Sequence, residues 1–125
     1  MKTETDVQNL TRQAVQGAGG VAWRNNRGVA FREDGTPVRF GLANDSPNLD
    51  AVFKTGDLVG ISPYGVFCMW ECKPPGWIYK NTAREKAQRA AIKFVRNMGG
   101  RAGFITQPQQ AVDIMQGVGS GEPCG

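Results

Sequence analysis

The chain has 125 residues, 40% of them hydrophobic and 21% charged, with a formal net charge of +4 and a pI near 9.2. That length and balance suit one globular domain with a single core, and the basic excess favours a polyanionic partner without requiring one. No histidine is present, which removes Ser-His-Asp and Cys-His catalysis, zincin motifs and every nuclease chemistry that uses a histidine as general base.

Residues 4 to about 17 read as a helix, capped by Thr3 or Thr5, with acids in the first turn and an apolar stripe of Val7, Leu10 and Val15. The polar, acid-bearing start MKTETDVQNL has the character of neither a signal nor a transit peptide, and no apolar run approaches the ~20 residues that span a bilayer. An intracellular protein without a membrane partner is therefore expected. GAGG at 17–20 ends the helix. Short strands follow at 21–26, 28–33 and 37–42, the last two joined by the hairpin signal EDGT; ANDSPN at 43–48 reads as loop.

DLVGI (57–61) and VFCMWECK (66–73) read as a second hairpin. A three-residue loop, Pro63-Tyr64-Gly65, with Gly65 in a left-handed conformation, sets Ser62 against Val66, Ile61 against Phe67 and Asp57 against Glu71. A two-residue loop would pair Asp57 with Trp70 instead. PPGW (74–77) stops the ladder, because proline has no donor. A long helix is expected over residues 82–98, its apolar face carrying Ala87, Ala91, Phe94, Val95 and Met98, and Gly99-Gly100 ends it. A strand at 101–108 and a short helix at 109–118 complete the core, and a glycine-rich tail of 119–125 is expected to be flexible. The order is helix, three to four strands, helix, strand, short helix: an α/β fold around a mixed sheet, one domain over 1–118. Trp23 and Trp70 read as packing residues. The three cysteines, Cys68, Cys72 and Cys124, imply neither a disulfide framework nor a zinc site.

Any chemistry must then rest on carboxylates, lysine and a bound metal. On the VFCMWECK strand, alternation puts Glu71 and Lys73 on one face with Phe67 and Met69, and Val66, Cys68, Trp70 and Cys72 on the other. Asp57 and Glu71 on neighbouring strands make an oxygen-rich site for Mg²⁺ or Mn²⁺, with the Cys72 carbonyl as a further ligand. Lys73 beside them could orient or deprotonate a water, and the ion would stabilise charge on a phosphate oxygen. Taken singly, Asp57 is an ordinary strand start, Glu71 and Lys73 a surface ion pair, Gln88 a boundary residue and Glu4 a helix-start acid. It is the joint order D…E-x-K across a hairpin that points to function.

Glu4, WRNNRG (23–28), GDLVGI (56–61), VFCMWECK (66–73) and AREKAQRAAIKFVRNMGGRAGFI (83–105) together resemble the VRR-NUC (virus-type replication-repair nuclease) domain of the PD-(D/E)xK superfamily, in the free-standing form that phages encode. The resemblance runs from about Glu4 to Met115. It implies a restriction-endonuclease-like core in which Asp57 and Glu71 bind metal, Lys73 is the catalytic lysine, Gln88 lines the site and Glu4 is an accessory acid. It also implies a homodimer acting on branched or otherwise structured DNA. Gly56 stands where that family usually has proline, and PNLD (47–50) only mimics the motif, since Asp50 does not head the strand that pairs with VFCMWECK.

For nucleic acid, Arg24, Asn25, Asn26 and Arg27 could contact phosphates from one loop, joined by Lys80 and Arg84. Trp77 and Tyr79 could stack on an exposed base or cover the core, and Arg84, Lys86, Arg89, Lys93 and Arg96 could equally form a solvated helix face. Two rivals to a nuclease remain: a DNA-binding or structural module without catalysis, and a subunit active only with a partner.

Overall fold

In the computed structural model, which describes residues 2–118, Thr3 caps α1 (Glu4–Gly17) in a reciprocal box with Asp6. Three short strands follow, β1 (Val21–Arg24), β2 (Gly28–Phe31) and β3 (Pro37–Phe40), then a short helix α2 (Pro47–Val52) and the hairpin β4 (Leu58–Ile61) and β5 (Phe67–Cys72). Helix α3 (Ala83–Asn97), strand β6 (Arg101–Ile105) and helix α4 (Pro108–Met115) close the order. All five strand segments read along the chain thus precede the long helix, more than the three to four of the overall order, and α2 begins within the sequence at 43–48 that reads as loop. Ser46 caps α2 and Pro47 pre-sets its first turn, a start signal masked by the turn-forming residues around it. The strands at 21–26, 28–33, 37–42, 66–73 and 101–108 are each shorter than their apolar patterns suggest; side chains take the amides of Leu42, Val66 and Thr106 at three of these ends. The tail of 119–125 lies outside the described residues.

The mixed sheet has the order β1-β4-β5-β6, antiparallel except for the parallel β5–β6 pair that α3 connects. Strands β2 and β3 do not join it. They form a separate two-stranded ribbon. Helices α1 and α4 cover one face of the sheet, meeting Leu58, Cys68, Trp70, Cys72 and Ile105 through Val7, Val15, Ala111, Ile114 and Met115. Trp70 is fully buried there, and its indole N–H donates to the Ala111 carbonyl at 3.1 Å. Helix α3 covers the other face, setting Ala91 and Ile92 on Met69, Ala102 and Phe104. The alternation expected for β5 holds: Cys68, Trp70 and Cys72 belong to the first face, and Met69 to the second.

Three packing expectations need correction. Trp23 lies on the edge strand β1 and is 48% exposed, so it is no core residue. Phe94 and Met98 are also exposed. The buried stripe of α3 is Glu85, Ala87, Gln88, Ala91 and Ile92, the side that meets the sheet at Met69, Ala102 and Phe104, while Phe94 meets only Phe53, edge-on at 5.6 Å. Cys68 and Cys72 are free and buried, and burial pushes the Cys68 thiol up to about 11 and Cys72 higher still. Neither is a reactive thiol at neutral pH.

Candidate active site

The hairpin β4–β5 sets the site. Gly65 has φ of +81° and its N–H donates to the Ser62 carbonyl, while Ser62 N–H donates to Val66. This is the three-residue loop with a left-handed last position. Leu58 consequently pairs with Trp70 and Ile61 with Phe67, and one further step of that register puts Asp57 opposite Glu71. Asp57 precedes β4, and its Oδ2 accepts from the Cys72 N–H at 2.9 Å. The acid at the head of one strand therefore bonds to the end of the other.

Helix α3 closes the site from above. Gln88 is 1% exposed; its Nε2 donates to Glu71 Oε1 at 2.9 Å and its Oε1 accepts from Lys73 Nζ at 2.9 Å. One amide thus bridges the acid and the base of the E-x-K triplet. Lys73 is further enclosed by aromatic faces, its ammonium 5.4 Å from the Trp77 ring centre and 5.9 Å from that of Phe104. Trp77 is half-buried on Phe104, and its N–H donates to Glu85. Trp77 and Lys80 also line an open groove of about 320 Å³ with Gly76, Ile78 and Glu85.

Glu71 is 2% exposed and its Oε2 has no hydrogen-bond partner in the protein. Burial first, then the negative charge of Asp57, hold its carboxyl well above the ordinary range; Lys73 opposes them. The two acids lie close enough for the charge of Asp57 to act on Glu71, so with both ionised their like charges repel. A shared proton or a cation resolves that conflict. Carboxylate oxygens are the donor type that a hard cation such as Mg²⁺ or Mn²⁺ takes. The site offers two carboxylates and no more: among the described residues, no three acidic, cysteine or histidine side chains gather as a ligand group. Glu4 stands nearby at the start of α1, where partial burial and then Asp57 raise its carboxyl, against the pull of Lys73 and Arg84.

The nucleic-acid candidates divide. Asn26, Lys80 and Arg84 are exposed, and Arg84 is close enough to act on Glu4. Arg24 donates to Asn9 at 2.5 Å. Arg27 pairs with Asp50 at 3.2 Å, and Arg39 and Lys54 converge on the same carboxylate. Asp50 thereby anchors the β2–β3 ribbon to α2, in keeping with its rejection as a motif acid. Asn25 is tied into the protein. Its Nδ2 donates to Thr55 Oγ1 and to the Gly56 carbonyl.

Gly56, the departure from the proline pattern, is explained by contact. A Cβ there would lie 2.6 Å from the Trp70 carbonyl oxygen and 2.9 Å from Met69 Cγ. This backbone passes too close to β5 for any side chain. The aromatic lid on Lys73 and the anchoring role of Asn25 are the features that sequence reasoning missed. The first had a signal in Trp77 following PPG; the second had none, since an Asn in a polar loop looks solvated.

Compared with protein-family models, curated proteins and solved structures, the chain matches none.

Proposed function

We propose that the protein is a metal-dependent deoxyribonuclease that hydrolyses phosphodiester bonds in branched or structured DNA, acting inside the cell. The observation that carries this reading is the buried Glu71 carboxylate, with one oxygen held by Gln88, the other unpartnered, and Asp57 beside it. A buried carboxylate with one unpartnered oxygen, set beside a second acid, is costly to the fold, and a bound cation would offset that cost.

Asp57 and Glu71, with the Cys72 carbonyl, would hold Mg²⁺ or Mn²⁺. When bound, the ion supplies a Lewis acid for the phosphate oxygen and lowers the pKa of a coordinated water. Asp57 is braced by the Cys72 N–H, so its carboxylate keeps one orientation. Gln88 fixes Glu71 and Lys73 relative to each other. Lys73, screened by Trp77 and Phe104, directs a positive charge at the reacting phosphate and orients the attacking water. Glu4 acts as the accessory acid. Arg24, Asn26, Arg27, Lys80 and Arg84 supply the cationic and polar approach for the DNA backbone, and Trp77 can present an edge to an unpaired base. The homodimer belongs to the same reading, with the apolar β2–β3 ribbon as its candidate surface. The rival, a DNA-binding module without catalysis, draws on the absence, among the described residues, of three such side chains gathered as a ligand group.

Labelled junction, flap and linear DNA, incubated with Mg²⁺ or Mn²⁺, separate the two. Wild type should cut at least one branched substrate, and Lys73→Ala should lower the rate by roughly 100-fold or more while still binding Mn²⁺. Wild type that binds DNA but neither takes up Mn²⁺ nor cuts would leave the binding module as the answer.

A further inference from the structure

We infer that Asn25 is a positioning residue for Asp57 and that its side chain has no role in holding phosphate; this rests on the nuclease reading of the Asp57–Glu71 site. Asn25 leaves β1 beside the approach to β4, and its backbone N–H donates to the Asp57 carbonyl at 2.8 Å. The ladder Arg24–Leu58 is thereby extended by one residue. Its side chain then grips the segment ahead of Asp57: Nδ2 donates to Thr55 Oγ1 at 2.8 Å and to the Gly56 carbonyl at 2.9 Å. Its Oδ1 accepts from the Leu42 N–H at 3.2 Å, and the Thr55 hydroxyl donates to the Leu42 carbonyl at 2.7 Å. An asparagine amide has two N–H donors, and both are committed internally.

The need for this clamp follows from Gly56. A proline ahead of the acid would restrain the backbone by itself, whereas glycine leaves it the widest freedom of any residue. Glycine is required because Gly56 lies against the Trp70 carbonyl with no room for a Cβ. Thr55 and Gly56 are buried but belong to neither helix nor strand, so no regular ladder fixes them. Asn25 restrains residues 55, 56 and 57 from one side and β5 from the other. The Asp57 carboxylate then meets the Cys72 N–H in register with Glu71. Because Leu42 follows β3, the same amide ties the exit of the ribbon to the metal-binding acid.

A positioning residue and a phosphate contact give opposite signatures. Wild type, Asn25→Ala and the exposed neighbour Asn26→Ala can be compared by Mn²⁺ titration without DNA and by kcat and KM on a branched DNA. Protection of the Cys72 amide, which reports the bond to Asp57, adds a readout by hydrogen exchange. Asn25→Ala should weaken Mn²⁺ binding or kcat by about 10- to 100-fold, leave KM within about twofold, and reduce Cys72 protection while that of Trp70 persists. Asn26→Ala should leave the Mn²⁺ and Cys72 readouts unchanged. Thr55→Val, which removes one partner of the clamp, should reproduce the Asn25→Ala pattern more weakly and serves if that variant does not fold. Raised KM with a shallower salt dependence, unchanged Mn²⁺ affinity and unchanged Cys72 protection would overturn the inference. The exchange measurement needs neither metal nor cleavage, so if wild type binds no Mn²⁺ and cuts nothing, the nuclease reading fails while the clamp on Asp57 is still judged on Cys72.

Discussion

Glu71 carries an acid's pH dependence into the interior. Its ordinary pKa is 4.5, and burial with Asp57 opposite raises it well above that in the folded chain. The folded state therefore holds the proton where the unfolded state has released it, and stability falls as pH rises from the unfolded value through the folded one. Without divalent metal, wild type should melt at a lower temperature at pH 8 than at pH 5. Glu71→Gln keeps the acceptor for Gln88 and adds a donor where Oε2 is unpartnered, so its melting temperature should change less over that range. Added Mn²⁺ should raise the melting temperature of wild type at pH 8, by mass action on the folded state, and leave that of Glu71→Gln unmoved. Thermal scans at the two pH values, with and without Mn²⁺, check all of this. At this scale Asp57, Glu71 and Lys73 were legible in the sequence, because strand alternation and turn chemistry fix which residues share a face. The Gln88 bridge was half legible: helical spacing put it beside the buried stripe, but which atoms it joins depends on how α3 lies across β5.

Among the elements, the β4–β5 hairpin is the part most completely written in local sequence. SPYG dictates its turn, and the register carries Asp57 to Glu71 without further help. The segment leading into it is set by long-range contact. Gly56→Ala would push a methyl group against the Trp70 carbonyl, and overpacking of this kind costs about 1–3 kcal/mol. Urea unfolding should show that loss, accompanied by weaker Mn²⁺ binding, since Asp57 is the next residue. Gly65→Ala meets no atom within 4 Å but must keep a left-handed backbone, for about 1–2 kcal/mol, and should leave Mn²⁺ binding intact. Helix α2 escaped the sequence reading because Ser46, Pro47 and Asn48 favour turns as readily as helix starts. The exposure of Phe94 and Met98 was hidden for a related reason: helical spacing marks two adjacent apolar stripes on α3, and only the way the helix lies on β5 and β6 decides which is covered.

Seen as a whole, the molecule keeps one ribbon outside its layered core. Val29, Phe31, Val38 and Phe40 of β2–β3 are all exposed, with Phe31 at 72%, and the ribbon is held at its base by Asp50 and by Asn44, whose Nδ2 donates to the Gly28 and Phe40 carbonyls. An isolated two-stranded hairpin is marginal in water, and apolar side chains on both its faces favour association. If the ribbon is where two copies of the chain meet, Phe31→Ser with Phe40→Ser should convert a dimer to monomer in sedimentation equilibrium and leave Mn²⁺ binding unaltered. A mutant that still sediments as a dimer would move the interface elsewhere. The layered α/β arrangement itself was readable from element order. The detachment of the ribbon was not, since nothing in PVRFGL distinguishes a strand that joins the sheet from one that does not.

Strand β5 serves two masters at once, with Trp70 and Cys72 built into the hydrocarbon layer under α1 and α4, and Glu71, with Lys73 just beyond the strand, turned to the face where Gln88 of α3 meets them. The arrangement obeys parity. One extra residue inside β5 would exchange the two sets, driving an acid and an ammonium into oil and lifting the indole toward Gln88, whereas two extra residues would restore every side to its place. Evolution can therefore lengthen this strand only in even steps, unless a bulge absorbs the odd one.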